Sequence, residues 1–340
     1  MGLSTFFDRY LPLIEADLQA VLTPPAGSPP LFYRMLHYHM GWVGPDGEPS
    51  KANGGKRIRP VLCLLTCAAS GGPLDAARPP AAAIELIHNF SLLHDDIQDR
   101  SPLRRNRPTA WSIWGEAQAI NAGDSLFTLA HLAIPRLAEG RLDGETQARM
   151  LTITDETCLA LTCGQHLDIS FEDRADVTVD EYLEMIGGKT AALLSAAARL
   201  GALAAGADES VQAHYAAFGH CLGMAFQVLD DILDIWGDPA LTGKEAAIDI
   251  RQRKKSLPVL YGLERSPELR DLYATSAPFD EAQVEQAVSL LDAVGARDYA
   301  ESLARRYSDE TLKHLDAAQP QGDAGQALYA LVDRLLHRDR

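Results

Sequence analysis

Two acidic clusters of identical spacing, Asp95-Asp96-Ile97-Gln98-Asp99 and Asp230-Asp231-Ile232-Leu233-Asp234, constrain this chain more than any other feature of it. Each closes an apolar run, FSLLH before the first and MAFQVL before the second, so each is expected on a helix with a buried wall. Helical residues four apart share a face, which turns the first and last aspartates of a cluster the same way with the middle one beside them. Carboxylates crowded like this repel, and burial raises the cost. A hard cation resolves the conflict, because Mg²⁺ typically takes one or two carboxylates together with phosphate oxygens and water. One acidic run in a chain of net charge -16 reads as a solvated helix face; the same spacing twice inside apolar flanks does not. Two such clusters facing each other would hold metal ions around a diphosphate.

The rest of the chain points to an all-α fold. Alanine and leucine are abundant, apolar residues recur at three and four, and β-branched alternation is nearly absent. The spacing predicts helices over about 5–22, 31–40, 57–69, 76–99, 112–139, 143–171, 179–205, 208–236, 256–263, 280–294, 296–315 and 324–338. Thr5 with Asp8, and Thr178 with Glu181, read as capping boxes. Small residues throughout AALLSAAARLGALAAG suit a helix packed closely on more than one side, as at the centre of a bundle. No central linker divides the 340 residues, so one domain is expected, with an irregular region at 23–30 and 41–55.

Charge and cysteines narrow the class. A pI near 5.0 makes nucleic acid and anionic lipid poor partners. Five cysteines without a disulfide-type pattern fit a reducing compartment, and Cys63 and Cys67 on one helical face read as buried small side chains rather than a metal site. The first residues lack a basic n-region, and no apolar segment is long enough to span a bilayer. A cytoplasmic protein without membrane insertion is expected.

Basic groups accompany the acids. Gly54-Gly55-Lys56-Arg57-Ile58-Arg59-Pro60 opens a helix, and Lys56 and Arg59, one turn apart, could grip a phosphate together. Four arginines follow the first cluster between Arg100 and Arg107, as ion-pair partners or as a basic rim for a diphosphate. Gly187-Gly188-Lys189-Thr190 interrupts a helix; position 183 is Leu, so it is not a Walker loop. Gly243-Lys244 and the run from Arg251 to Lys255 follow the second cluster.

These blocks, in this order from about Gly54 to Leu260, closely resemble the trans-type isoprenyl diphosphate synthases of the polyprenyl synthetase family. They comprise GGKRIRP, IELIHNFSLLHDDIQD, the Arg104-Arg105 pair, NAGDSL, GQHLD, GGKT, FQVLDDILD and GKEAAIDIRQRKKS. The resemblance implies a helical bundle around a central cavity, and head-to-tail condensation of isopentenyl diphosphate with an allylic diphosphate. It assigns Asp95, Asp96, Asp99, Asp230, Asp231 and Asp234 to Mg²⁺, three ions with substrate bound. Lys56, Arg59, His88 and Arg105 would take isopentenyl diphosphate without metal. Arg104, Lys189, Lys244 and Lys254 would contact the allylic diphosphate, with Thr190 and Gln227 facing the developing cation. It also implies a homodimer.

Helical spacing supports part of this independently, since His88, Leu92, Asp95 and Asp99 form one stripe and Gln227, Asp231 and Asp234 another. No side chain is spaced as a dedicated base, and the resemblance implies that released pyrophosphate takes the final proton. Two positions depart from the family pattern: Asn106 and Arg253 stand where glycine is usual. Phe90 lies roughly 7.5 Å along the axis from Asp95, with small Ser91 beside it and no insertion within Asp95–Asp99. That combination resembles members making geranylgeranyl diphosphate, with the farnesyl product as the alternative. A class I terpene cyclase would not need Lys56, Arg59 and Arg105, and a non-catalytic subunit would be expected to have lost some of its aspartates.

Overall fold

The structure, a computed structural model, describes the whole chain except residues 1, 51, 53, 238–246, 275–276 and 337–340. It is helical, with one two-stranded hairpin among the described residues. The chain divides into two compact units, Met1–Cys158 with Ala196–Ala213 and Gln319–Leu328, and Leu159–Ser195 with His214–Ala318 and the C-terminal stretch from Tyr329.

The first unit holds α1 (Leu3–Val21), α2 (Pro30–His39), α3 (Ile58–Ala69), α4 (Leu74–Gln98), α5 (Ala110–Trp114), α6 (Glu116–Ala138) and the start of α7 (Gly144–Asp173). Helix α3 carries almost no polar residue, and Val61 through Leu65 are fully buried. Helices α4 and α6 form the main pairing. A Cβ on Gly123 would lie 2.2 Å from His94 Nε2, so glycine here lets the His94 ring lie against α6. The small-residue helix α9 (Ala192–Ala204) behaves as its composition predicts: a Cβ on Gly201 would meet the Cys63 carbonyl at 2.2 Å.

The second unit contains the rest of α7, α8 (Val179–Ile186), a π-helical turn over Gly187–Ala191, the start of α9, and most of α10 (Glu209–Trp236). It continues through α11 (Ile248–Arg251), α12 (Leu257–Arg265), α13 (Pro267–Tyr273), α14 (Glu281–Ala293) and α15 (Ala296–Ala317), and α16 (Gly322–Leu336) ends in it. Its core gathers Phe171, Tyr182, Met185, Met224, Val228 and Leu303.

Several boundaries differ from the sequence reading. Helix α1 starts at Leu3 behind Gly2, so Thr5 lies inside the helix and caps nothing with Asp8. The Thr178–Glu181 box does form: Glu181 N–H donates to Thr178 Oγ1 at 3.2 Å, and Thr178 N–H to Glu181 Oε2 at 2.9 Å. An unforeseen second box joins Asp280 and Gln283. Gly115, at φ 86°, splits the expected 112–139 helix into α5 and α6. GGKT does not break its helix. It widens it into a π turn, and α8 and α9 continue on either side.

Candidate active site

Both acidic clusters lie at the C-terminal ends of long helices, the first closing α4 and the second in the last turns of α10. Unsatisfied carbonyls make such an end partly negative, so carboxylates there are disfavoured until a cation arrives. In the first cluster, Asp95 is half-buried and Asp99, the C-cap, is exposed. The middle residue turns inward: Asp96 is 1% exposed and accepts from Arg104 Nε at 2.7 Å. Burial raises the Asp96 pKa, and the guanidinium opposes that rise.

Arg104 reaches Asp96 because it stands on a tight hairpin, Leu103–Arg104 (β1) paired with Arg107–Pro108 (β2) in the register Leu103↔Pro108 and Arg104↔Arg107. The two-residue loop has both central residues left-handed, Arg105 at φ 52° and Asn106 at φ 61°, the pattern of a type I′ turn. Asn tolerates this region well, so the turn survives the loss of glycine. Arg105 folds its guanidinium against Gly55, where a Cβ would sit 2.7 Å from Nη2. Arg59 and His88 are half-buried nearby. Burial, and then Arg59, Arg105 and Arg104, push His88 well below the ordinary imidazole value, so it is neutral. His39 is lowered to about 3 by burial and by Arg104, Arg105 and Arg57. His39, Asp96, Arg104 and Arg105 line one open pocket. Of the sequence-predicted residues, Arg59, His88, Arg104 and Arg105 therefore assemble in this unit, and Lys56 is exposed at the approach to α3.

Sequence reasoning missed what holds this half together. Arg57, left-handed at φ 49° and buried, donates from Nε to Glu15 Oε1 at 2.8 Å and from Nη1 to Glu85 Oε1 at 2.6 Å. Asn89 Nδ2 donates to the same Glu85 oxygen at 2.9 Å.

The second unit arranges its residues as a hydrogen-bonded chain. Thr190 Oγ1 donates to Gln227 Oε1 at 3.0 Å, and Gln227 Nε2 donates to Asp231 Oδ1 at 3.1 Å. Asp231 Oδ2 accepts from the Tyr182 hydroxyl at 2.5 Å and from Leu257 N–H, in the first turn of α12, at 3.1 Å. Burial raises this carboxyl to about 7 despite those donors. Asp230 is half-buried, and Asp234 Oδ2 accepts from Asp249 N–H at 3.1 Å.

Lys189 pairs with Asp168 of the GQHLD block. The glycines of both blocks serve packing: a Cβ on Gly164 would lie 2.3 Å from Lys189 N, and one on Gly188 2.5 Å from the Ala160 carbonyl. Lys254 is exposed, 3.3 Å from Asp249 Oδ1. Its neighbour Lys255 donates to the Phe171 and Glu172 carbonyls and so ties down the end of α7. Arg253 is left-handed at φ 59°, donates to the Tyr273 carbonyl and lies against the Tyr273 and Phe279 rings. These contacts offset the strain of a side chain where glycine is usual. Lys244 lies outside the described residues.

A polyprenyl synthetase family model matches residues 48–291. The chain belongs to the polyprenyl synthetase family. It is 38% identical to a geranylgeranyl diphosphate synthase of Mycobacterium tuberculosis, over 99% of both chains. A (2E,6E)-farnesyl diphosphate synthase of the same species is 41% identical over 80% of this chain and 77% of that one. Among solved structures, a polyprenyl synthetase of Streptomyces coelicolor superposes with a TM-score of 0.88 at 35% identity, covering 98% of this chain and all of that one. The geranylgeranyl pyrophosphate synthetase of Pyrococcus horikoshii gives 0.86 at 33% identity, with 99% of each covered.

As a polyprenyl synthetase, the chain is a prenyltransferase, and membership implies a divalent metal. The donors fit one. Each cluster offers hard carboxylate oxygens, and the Asp99 N–H to Asp95 carbonyl bond of 2.8 Å shows the first and last positions one helical turn apart. Among the described residues no three acid, His or Cys side chains form a ready-made metal cage. Substrate oxygens would complete the coordination, as is usual for Mg²⁺. Among the same residues no helix is long and apolar enough to cross a membrane.

Phe90, 8% exposed, packs between α4 and α6. Its ring is 5.3 Å from that of Phe127 and 5.5 Å from that of His94, both edge-on. Phe127 in turn meets the His131 ring at 4.6 Å. Ser91 Oγ donates to the His88 carbonyl at 2.9 Å.

Proposed function

We propose that this polyprenyl synthetase condenses isopentenyl diphosphate head to tail with allylic diphosphates and releases geranylgeranyl diphosphate. The observation that supports this reading most is the cluster of basic groups, Arg59, His88, Arg104 and Arg105, in the same unit as the first acidic helix end. A cyclase has no use for that cluster. Mg²⁺ is the proposed ion, three with substrate bound; when bound it draws charge from the departing pyrophosphate. Asp95 and Asp99, and Asp230 and Asp234, are its proposed ligands. Asp96, with Arg104 on Oδ1, and Asp231, with donors on both oxygens, would complete each cluster from the buried side.

Lys189 and Lys254, now paired with Asp168 and Asp249, would exchange those carboxylates for diphosphate oxygens, as would Lys244. Arg104 would add a charge while keeping Asp96. As the allylic C–O bond breaks, positive charge grows on carbon. Gln227 Nε2 is committed to Asp231, which turns the amide oxygen toward Thr190, and these two oxygens form the surface suited to that cation. The isopentenyl double bond then attacks, and pyrophosphate takes the proton, because neutral His88 lies among guanidiniums.

Chain length rests on Phe90 and Phe127, which close the space beside α4 below Asp95, with Ser91 leaving room above. We also propose a homodimer, to which exposed Ile120 on α6 offers apolar surface, and a cytoplasmic setting, which suits the free cysteines. Mass spectrometry of products from isopentenyl diphosphate and each short allylic primer tests the reading. A twenty-carbon product is expected. A fifteen-carbon one would favour the farnesyl alternative, to which the 41% identical relative also points, and no condensation at all would overturn the proposal.

A further inference from the structure

The basic pocket of the first unit is built over a buried acid that no substrate can touch. Glu85, on α4, is 3% exposed, and its Oε1 accepts from Arg57 Nη1 at 2.6 Å and from Asn89 Nδ2 at 2.9 Å. Asn89 also donates to the Glu85 carbonyl at 2.8 Å, which pins the acid to its own helix. Arg57 is gripped from its other side by Glu15 at 2.8 Å, and Trp42 Nε1 holds the second Glu15 oxygen at 2.9 Å.

This grip has a backbone consequence. Arg57 is a non-glycine residue at φ 49°, a conformation that costs about 1 kcal/mol or more and persists only where its surroundings impose it. It is also the residue between Lys56 and Ile58, so its dihedral sets where Lys56 stands and where α3 begins, and hence where Arg59 stands. Gly54 is part of the same fit, for a Cβ there would lie 2.6 Å from the Met40 carbonyl and 2.8 Å from Arg57 Nη2. Glu85 also lies close enough to Arg59 and Arg105 to oppose the lowering of their pKa values by burial.

We propose that Glu85, acting through Arg57, is a positioning residue for isopentenyl diphosphate: it fixes the Gly55–Arg59 turn and gathers Arg59 and Arg105 before substrate arrives. The inference rests on the proposed function for the identity of that substrate. It makes a prediction opposite in sign to simple Coulomb reasoning. Removing a negative charge beneath an anion pocket should tighten anion binding, whereas removing the group that shapes the pocket should weaken it.

Glu85→Gln keeps the side-chain volume but removes the carboxylate whose ion pair holds Arg57 in its left-handed turn. The KM for isopentenyl diphosphate is expected to rise about tenfold or more, with kcat and the allylic KM within about threefold. Calorimetric titration of inorganic pyrophosphate onto the whole protein in chelator should show a parallel loss of affinity. That readout needs no turnover, so it separates failure of this inference from failure of the prenyltransferase reading. Glu15→Gln loosens the same guanidinium from its more exposed side and should shift KM in the same direction by a smaller factor, and it carries the test if Glu85→Gln does not fold. Tighter pyrophosphate binding, an unchanged KM, or equal rises in both KM values would overturn the proposal.

Discussion

The two acidic clusters share a spacing but hold their middle carboxylates by different means. Asp96 is neutralised by a full charge, the Arg104 guanidinium on the adjacent hairpin. Asp231 meets only neutral donors: a phenol, an amide and the first turn of α12. A charge partner stabilises a carboxylate strongly, but it draws Arg104 toward the protein. Neutral donors do not offset burial, so the Asp231 carboxyl is raised to about 7. The same spacing thus places its middle carboxylate in two different electrostatic settings.

The comparison breaks most visibly in catalysis. Asp95→Asn and Asp230→Asn should each reduce kcat by about 10³-fold, or roughly 4 kcal/mol of barrier, if both clusters hold metal. Steady-state assays in Mg²⁺ with unchanged circular dichroism would check this. A loss confined to one variant would mean that a single cluster does the clamping.

The middle aspartates sharpen the contrast through pH. Asp231 titrates at about 7 in the fold against 3.8 ordinarily. Its neutral form is thus favoured by folding, so this stabilisation is complete below pH 3.8 and is lost as pH rises through 7. Burying the charge costs on the order of 4 kcal/mol across that window. Urea unfolding in chelator at pH 5 and pH 8 should show Asp231→Asn losing less stability than the parent on going to the higher pH. Asp96→Asn should show the same sign with a smaller amplitude, because Arg104 opposes the rise that burial imposes on Asp96. Equal pH profiles for the two variants would erase the distinction.

A histidine of the first unit should show the reverse sensitivity. His39 is held down to about 3 against an ordinary 6.5, so its contribution is present above pH 6.5 and is lost as pH falls toward 3. Acid titration of His39→Gln should give a shallower loss of stability than the parent.

The smallest change in rate, though not in outcome, belongs to Phe90→Ala. It should lengthen the product by one isoprene unit with kcat altered less than about threefold, read by mass spectrometry. An unchanged product would place the floor at other side chains.

Much of this was legible in the sequence, and the rest fails for identifiable reasons. Helix periodicity located the long helices within a few residues, because their buried faces run for many turns. The hairpin at Leu103–Pro108 went unseen because two residues a strand carry no alternation, and α13 because it is seven residues long. The Asn106 and Arg253 departures were visible, and both fall on left-handed backbone, where glycine would be unstrained. The ordered motifs exposed the residues that end in charge. Those that hold them, Glu15, Glu85 and Tyr182, come from 28 to 49 positions away from the groups they bind. Nothing local marks such partners. Glu85 and Asp168 lay inside quoted motifs, but their pairings with Arg57 and Lys189 depend on tertiary contacts, for Asp168 the close crossing at Gly164 and Gly188.

The placement of both clusters at helix C-termini reaches beyond catalysis. Carbonyl dipoles and carboxylates there push in the same direction, so the ends of α4 and α10 are places where a bound cation relieves repulsion. A divalent ion that binds the fold and not the unfolded chain then works as a folding ligand, worth about 2.7 kcal/mol at a hundred times its Kd. Chelators would act on this enzyme as mild denaturants, and its shelf life would follow the free divalent metal of its buffer.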